Sequence, residues 1–387
     1  MKKKVVILGS TGSIGKTLLT IIKKDKKNFD IILLTARKNY KALLNQAKYF
    51  KVKNIIITEH KYYKKAKSSI KSKKINIYNS FEDFDKIFKK KIDYTMSSII
   101  GLDGLYPTMK IIKFTKIIAI ANKEAIICGW DLIKKELKKN NTKFLPVDSE
   151  HFSIWRIVNF DKLKYIDKIF LTASGGPFLN KSTKQIKDVK ISEALKHPNW
   201  KMGKKISIDS ATMMNKVFEV IETKNIFSTS YKKIFILIQP NSYIHAIIKF
   251  KDGTSHLLAH DTTMKIPIFN TLYHDQNKTI KTNELNINKL NNLKIQNIDK
   301  ILFPVIDILK YIPNKSSLFE TVLVTSNDEY VKLFLKKKIK FHEISDNIIK
   351  FLKLKEFQKY KRKLPKNIQD IHKLSNYVRL KINSLSI

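Results

Sequence analysis

Short apolar runs alternate with helical stretches along the first 150 residues of the chain: Val5–Leu8, Ile31–Leu34, Asn54–Thr58, Ile75–Tyr78, Ile92–Met96, Ile117–Ala121 and Phe144–Val147. Such alternation predicts a parallel sheet wrapped by helices on both faces, a Rossmann-like arrangement. From Glu150 to His274 the texture changes to strands Ile169–Thr172, Ile234–Ile238 and Ile244–Phe250, with a turn-rich loop at Ser174-Gly175-Gly176-Pro177. Strands joined by turns rather than regular crossovers predict a mixed α+β domain. The polar, Asn- and Lys-rich stretch from Asp275 to Asn297 reads as a linker. Beyond Asp299 apolar positions return at helical spacing, with Tyr330, Val331, Phe334 and Leu335 and then Ile344, Ile348 and Phe351. The expected fold class is therefore α/β: an N-terminal Rossmann-like sheet over 1–149, a central α+β domain over 150–274, a linker over 275–298 and a C-terminal helical bundle over 299–387.

The turn Gly9-Ser10-Thr11-Gly12-Ser13-Ile14-Gly15 falls between the first strand and a helix predicted from Ser13 to Lys24. Glycines there let the backbone approach a pyrophosphate, and the helix N-terminus presents free N–H groups and a positive dipole end. The second strand ends Leu34-Thr35-Ala36-Arg37-Lys38-Asn39, with two cations and no acid. An acid there would bond the ribose 2′-hydroxyl of NAD, whereas cations suit the 2′-phosphate of NADP, so NADP(H) is expected. Asn122-Lys123-Glu124 follows the sixth strand at the ligand-binding edge of such sheets, and Asn122 also reads as a helix N-cap with a first-turn acid behind it.

Asp148 and Glu150 stand two apart at the end of a strand, where extended backbone projects both side chains to one face. Adjacent anions call for a cation, and an oxygen-only set suits Mg²⁺ or Mn²⁺. Asn215, Lys216 and Glu219 share one face of a predicted helix, so Lys216 can meet a phosphate while Glu219 turns to the metal. Ser174 and Ser210 add hydroxyl donors. His197-Pro198-Asn199-Trp200-Lys201-Met202-Gly203 has the make-up of a flap with an aromatic cover and a hinge glycine.

A formal net charge of +43 invites a nucleic-acid reading. Only Arg37, Arg156, Arg362 and Arg379 are arginines, however, and the lysines are spread through every segment. Dispersed lysine reads as compositional bias, so neither specific nucleic-acid binding nor membrane binding is expected, although the field still favours anionic small molecules. Cys128 is the only cysteine, which excludes an internal disulfide and fits a reducing compartment. No apolar run is long enough to span a bilayer, and the first strand begins almost at once, so a cytoplasmic location is expected.

Gly9 to Gly15, Leu145-Pro146-Val147-Asp148-Ser149-Glu150-His151, Ala173-Ser174-Gly175-Gly176-Pro177-Phe178, His197 to Gly203 and Ile206 to Glu219 together resemble the 1-deoxy-D-xylulose 5-phosphate reductoisomerase family, over nearly the whole chain. The resemblance implies conversion of that ketose phosphate to 2-C-methyl-D-erythritol 4-phosphate with NADPH and a divalent cation (Mg²⁺, Mn²⁺ or Co²⁺), in non-mevalonate isoprenoid synthesis. It implies NADPH contacts at Thr11, Gly12, Ser13, Ile14, Lys38, Asn39, Asn122, Glu124 and Gly203, beside the Arg37 already noted. Asp148, Glu150 and Glu219 would bind the metal. Lys123, Ser149, Ser174, His197, Ser210, Asn215, Lys216 and Glu219 would hold substrate, and Glu219, Lys216, His197, Asp148 and Glu150 would carry the catalysis. A homodimer is implied as well, with nucleotide-binding, catalytic and helical domains matching the three segments above. The chain departs from the family pattern at Arg37, usually a glycine, at Val217-Phe218, usually Gly-Leu, and at His260–Thr263 and Thr325–Asp328, where packing or dimer contacts rather than chemistry are expected to change. A simple NADP-dependent dehydrogenase is the alternative; it needs the glycine turn but not the three carboxylates.

Overall fold

A computed structural model describes residues 1–70, 74–200 and 202–385. They form two compact units, the first from Met1–Ala125, Asp131–Asp148 and Met264–Ile280, the second from Ile126–Trp130, Ser149–Thr263 and the residues from Lys281 onward.

The first unit is built on β1 (Lys3–Leu8), β2 (Phe29–Ala36), β3 (Asn54–Ile57), β4 (Asn76–Tyr78), β5 (Ile92–Ser97), β6 (Thr115–Ile120) and β7 (Lys143–Pro146). All pair in parallel, in the order β4-β3-β2-β1-β5-β6-β7. Val5 to Leu8 are wholly buried, as expected of a central parallel strand covered on both faces. Because the strand order reverses beside β1, a crevice opens at the carboxyl ends of β1 and β5, where such sheets bind ligands. Helix α1 (Ser13–Lys24) follows β1 with the predicted bounds; it buries Leu18, Leu19, Ile21 and Ile22 and ends on Lys23 and Lys24, favourably placed at its negative end. Helix α2 (Tyr40–Phe50) follows β2, and α3 (Lys123–Lys139) follows β6.

The helix Lys265–Leu272 also belongs to this unit and packs on α1. Thr271 and Tyr94 join their hydroxyls at 2.9 Å, and Lys3 Nζ donates to the Leu272 carbonyl at 2.7 Å. Periodicity identifies a helix but not the layer it joins, so the sequence places this one with its chain neighbours.

The second unit holds α4 (Ser149–Val158), the sheet strands β8 (Ile166–Ala173), β9 (Ile234–Ile238), β10 (Ile244–Phe250), β11 (Ser255–Ala259) and β12 (Gln296–Asn297), and the helices α5 (Lys204–Ala211) and α6 (Met214–Ile226). The order is β11-β10-β8-β9-β12; β8 and β9 run parallel and every other pair antiparallel. The edge strand β11 is mostly exposed, and its Ser and His residues interrupt the apolar run that would have revealed it. The two-residue β12 lies in the stretch read as a linker. The C-terminal helices are α7 (Phe319–Leu335), α8 (Phe341–Leu352) and α9 (Ile368–Leu385), and α7 packs against both others. Among the described residues no helix is long and apolar enough to cross a membrane.

Candidate active site

The glycine turn stands at the switch point of the first sheet. Gly9 has a φ of 85°, the left-handed region that a side chain resists, and its N–H donates to Thr35 Oγ1 at 2.9 Å. A Cβ on Gly15 would come within 2.5 Å of the Ser10 backbone, so only glycine lets α1 pack this closely on the turn. Gly12 caps α1 without a side-chain bond, and Ser13 and Ile14 open the helix with N–H groups that have no intrahelical acceptor. Thr11 is half-buried beside them. At the end of β2, Arg37 and Lys38 project outward; Arg37 meets Asp103 at 3.1 Å and both cations approach Glu59. The sequence offers no acid at that strand end, yet Glu59, just beyond β3, supplies one in space. Asn39 caps α2 by accepting from Ala42 N–H at 3.2 Å. Asn122 caps α3 by accepting from Ala125 N–H, and its amide also donates to the carbonyls of Ile99 and Gly101, so it stitches the loop to the helix. Glu124 is buried in the first turn of α3.

The carboxylates gather where β7 runs into α4. One ligand oxygen from each of Asp148, Glu150 and Glu219 lies within 4.8 Å of the others. The strand alternation expected for Asp148 and Glu150 is corrected: β7 ends at Pro146 and α4 begins at Ser149, so Glu150 sits in a first helical turn. The turn, not the pleat, keeps the pair together, and a carboxylate there is favoured by the helix dipole. Lys123 Nζ lies 2.9 Å from Asp148 Oδ2. Lys216 Nζ lies between Glu150, at 2.8 Å, and Glu219, and donates to the Thr172 carbonyl at 2.6 Å. Ser149 Oγ donates to Glu150 Oε2 at 2.5 Å, and Asn215 Nδ2 donates to Glu219 Oε1 at 2.5 Å.

Burial opposes the charges on both Glu150 and Lys216, but their mutual attraction is stronger. Glu150, aided by the nearby His245, is held well below the usual carboxylate range, and Lys216 is raised above its ordinary value. A hard, all-oxygen donor set of this density fits Mg²⁺ or Mn²⁺. Asp148, His151 and Glu222 meet the same spacing, and His151 Nε2 bonds the Glu219 carbonyl and Thr223 Oγ1, each at 3.0 Å. That second group works as a brace between α4 and α6.

Ser174 follows β8, at the start of a loop in which Gly175 and Gly176 have φ of 84° and 68°. A Cβ on Gly176 would meet the Ser210 carbonyl oxygen at 2.9 Å, so the glycine lets the Ser174 loop close onto the last turn of α5, where Ser210 lies. The flap begins at His197. Its Nδ1 accepts from Asn199 N–H at 3.1 Å and Trp200 N–H at 2.9 Å, which puts the ring proton on Nε2, 3.2 Å from Ser174 Oγ. Burial pushes the His197 pKa down to about 4. Ser174 Oγ also accepts from Gly176 N–H at 3.1 Å, so its lone pairs are engaged and its proton is directed to a ligand. Asn199 ties the flap to the Pro240 carbonyl and Ser242 Oγ. Lys201 of the expected flap lies outside the described residues. Gly203 has ordinary extended dihedrals and open space around its Cα, so its backbone does not demand glycine; it serves as the N-cap of α5.

Two histidines near the carboxylates are not read as site residues from the sequence, which marks His260 only as part of a segment expected to alter packing or dimer contacts. His245 and His260 are buried, stack with ring centroids 3.7 Å apart, and stand beside Phe152 and Trp200. They lie in separate segments with no motif of their own, and both interact electrostatically with Glu150. Val217 and Phe218 are wholly buried and take their extra bulk into the core, leaving the face of α6 that bears Lys216 and Glu219 undisturbed.

A parallel nucleotide-binding sheet with its glycine turn at the switch point, together with an oxygen-rich carboxylate cluster, defines an α/β oxidoreductase of the metal-assisted kind. The family model of 1-deoxy-D-xylulose 5-phosphate reductoisomerase matches residues 5–129, and two models of its C-terminal domains match residues 144–227 and 260–381. The chain is 56% identical to the 1-deoxy-D-xylulose 5-phosphate reductoisomerase of Pelagibacter ubique (strain HTCC1062), covering 100% of both chains. It is 39% identical to that of Wolbachia sp. subsp. Drosophila simulans (strain wRi), covering 88% of each. Among solved structures it is similar to the Zymomonas mobilis reductoisomerase in complex with NADPH, with a TM-score of 0.89, 30% identity and coverage of 100% and 99% of the two chains. A reductoisomerase in complex with NADPH, fosmidomycin and magnesium gives a TM-score of 0.90 at 30% identity, over 99% and 98%. The chain belongs to the 1-deoxy-D-xylulose 5-phosphate reductoisomerase family and is an NADP-dependent oxidoreductase and isomerase.

Proposed function

We propose that this chain converts 1-deoxy-D-xylulose 5-phosphate to 2-C-methyl-D-erythritol 4-phosphate, with the residues described above in the roles that follow. The observation that carries the reading is the set of carboxylate oxygens from Asp148, Glu150 and Glu219 within 4.8 Å of one another. A simple dehydrogenase does not need such a set. A divalent cation held there polarises the ketose carbonyl and its neighbouring hydroxyl, and NADPH supplies hydride to the rearranged aldehyde.

Asp148, Glu150 and Glu219 hold the cation, and Lys216 balances their charge close to the substrate. Ser174 and Ser210 grip the phosphate, with Asn215 and Lys216 on the neighbouring face, so that binding energy far from the reacting carbons fixes their register. Neutral His197 keeps the Ser174 proton available, and Trp200 excludes water. Lys123 and Ser149 orient carboxylates and substrate oxygens. Thr11, Gly12, Ser13, Ile14, Arg37, Lys38, Asn39, Asn122, Glu124 and Gly203 receive NADPH. The work divides among a nucleotide-binding domain (1–149) to which Met264–Ile280 returns, a catalytic and dimerising domain from 150 to 263, and a helical domain (299–387), in a cytoplasmic homodimer. NADPH absorbance followed with the ketose phosphate tests the reading directly. Consumption that stops with EDTA and returns with Mg²⁺ is expected; consumption indifferent to EDTA would favour the plain dehydrogenase.

A further inference from the structure

Asp209 immediately precedes Ser210 on α5, and its side chain is only 2% exposed. Asn327, fully buried on α7, donates from Nδ2 to Asp209 Oδ1 at 2.8 Å. Lys205, one turn back on α5, reaches Asp209 Oδ2 at 3.0 Å and Asp328 Oδ1 on α7 at 3.1 Å, with its ammonium 5.4 Å from the Phe218 ring. A buried carboxylate is costly unless its oxygens are met by donors. A well-packed apolar pair would hold two helices together at least as well, so what this network adds is a fixed position.

Helix α5 has eight residues, too few to be stable or straight without anchors. Its last turn is wedged between Gly176 of the Ser174 loop and α7. Neighbouring residues on a helix point about 100° apart, so Asp209 turned toward α7 leaves Ser210 on another side. We propose that Asn327 and Asp328 are positioning residues for the phosphate grip: through Asp209 and Lys205 they fix the end of α5, and so set where the Ser210 hydroxyl stands opposite Ser174. The inference rests on the reading of Ser210 as a phosphate donor.

A double-mutant cycle tests it. Asn327→Leu keeps the branched shape and removes the donor; the KM for the phosphorylated ketose should rise about tenfold, as for one lost hydrogen bond to a charged group, with kcat and the KM for NADPH within about twofold. In a Ser210→Ala background the same substitution should add less than about twofold, because the group it positions is gone. The swap D209N/N327D reverses the polarity of the bond and should restore the KM that N327D alone raises. Additive effects, or equal rises in both KM values, would overturn the proposal. Should Asn327→Leu fail to fold, Asp328→Asn takes its place in the cycle with the same expected non-additivity. If Ser210→Ala alone leaves the ketose KM unchanged, the phosphate reading itself is what fails.

Discussion

Ser174 Oγ accepts one hydrogen bond from the loop backbone and a second from His197, and the only proton it can then give is its own. The arrangement depends on His197 staying neutral, since a second ring proton on Nδ1 would face the N–H groups of Asn199 and Trp200. The folded-state value of about 4 lies below the ordinary 6.5, so the unfolded chain binds the proton more readily. The stability His197 contributes is therefore complete above the unfolded value and is lost as pH falls from there through about 4. An NMR titration should place the inflection near 4, and the ketose KM should show no His197 step between about pH 5.5 and 8; an inflection at the usual imidazole value would refute the lowered pKa. Glu219 touches Asn215 and Lys216 as well as the proposed cation. Glu219→Gln should cut turnover by about a hundredfold or more at saturating Mg²⁺, and near-native turnover would remove Glu219 from the metal site.

Single elements carry the rest of the geometry. The loop after β8 closes on α5 only because Gly176 has no Cβ and takes a φ of 68°. Gly176→Ala meets both a steric and a conformational penalty, and should cost about 1–3 kcal/mol in denaturant unfolding. The ketose KM should rise at the same time, since Ser174 and Ser210 are pushed apart; unchanged stability and KM would show that the loop has room to yield. Helix α6 shows how far an element's pattern could be read from the chain. The i, i+3 and i+4 spacing of Asn215, Lys216 and Glu219 foretold their common face, but not that Lys216 Nζ would sit between two carboxylates. For Asp148 and Glu150 the shared face was foreseen and its cause was not: a helix begins between them, and no strand periodicity announces that change.

At the scale of the whole molecule the charge of +43 surrounds a reaction whose substrate and cofactor are both anions. Long-range attraction of this kind acts on encounter, and salt screens it within a Debye length. Raising ionic strength from about 20 to 300 mM should lower kcat/KM for the ketose several-fold while kcat changes little. A flat salt profile would confine the electrostatics to the residues in contact with ligands.

The sequence by itself determined what depends on neighbours in the chain. Strand and helix periods, the glycine turn before α1, the Asn122 cap and the spacing on α6 all follow from backbone geometry and from steric limits within a few residues. Tertiary structure alone decided what depends on residues far apart along the chain. Glu59 beside Arg37 and Lys38, the helix Lys265–Leu272 returned to the first sheet, the stacked His245 and His260, and Asn327 held against Asp209 are such cases. A side chain's pattern records the face it must bury, whereas the partner it meets there is chosen by how the whole chain packs.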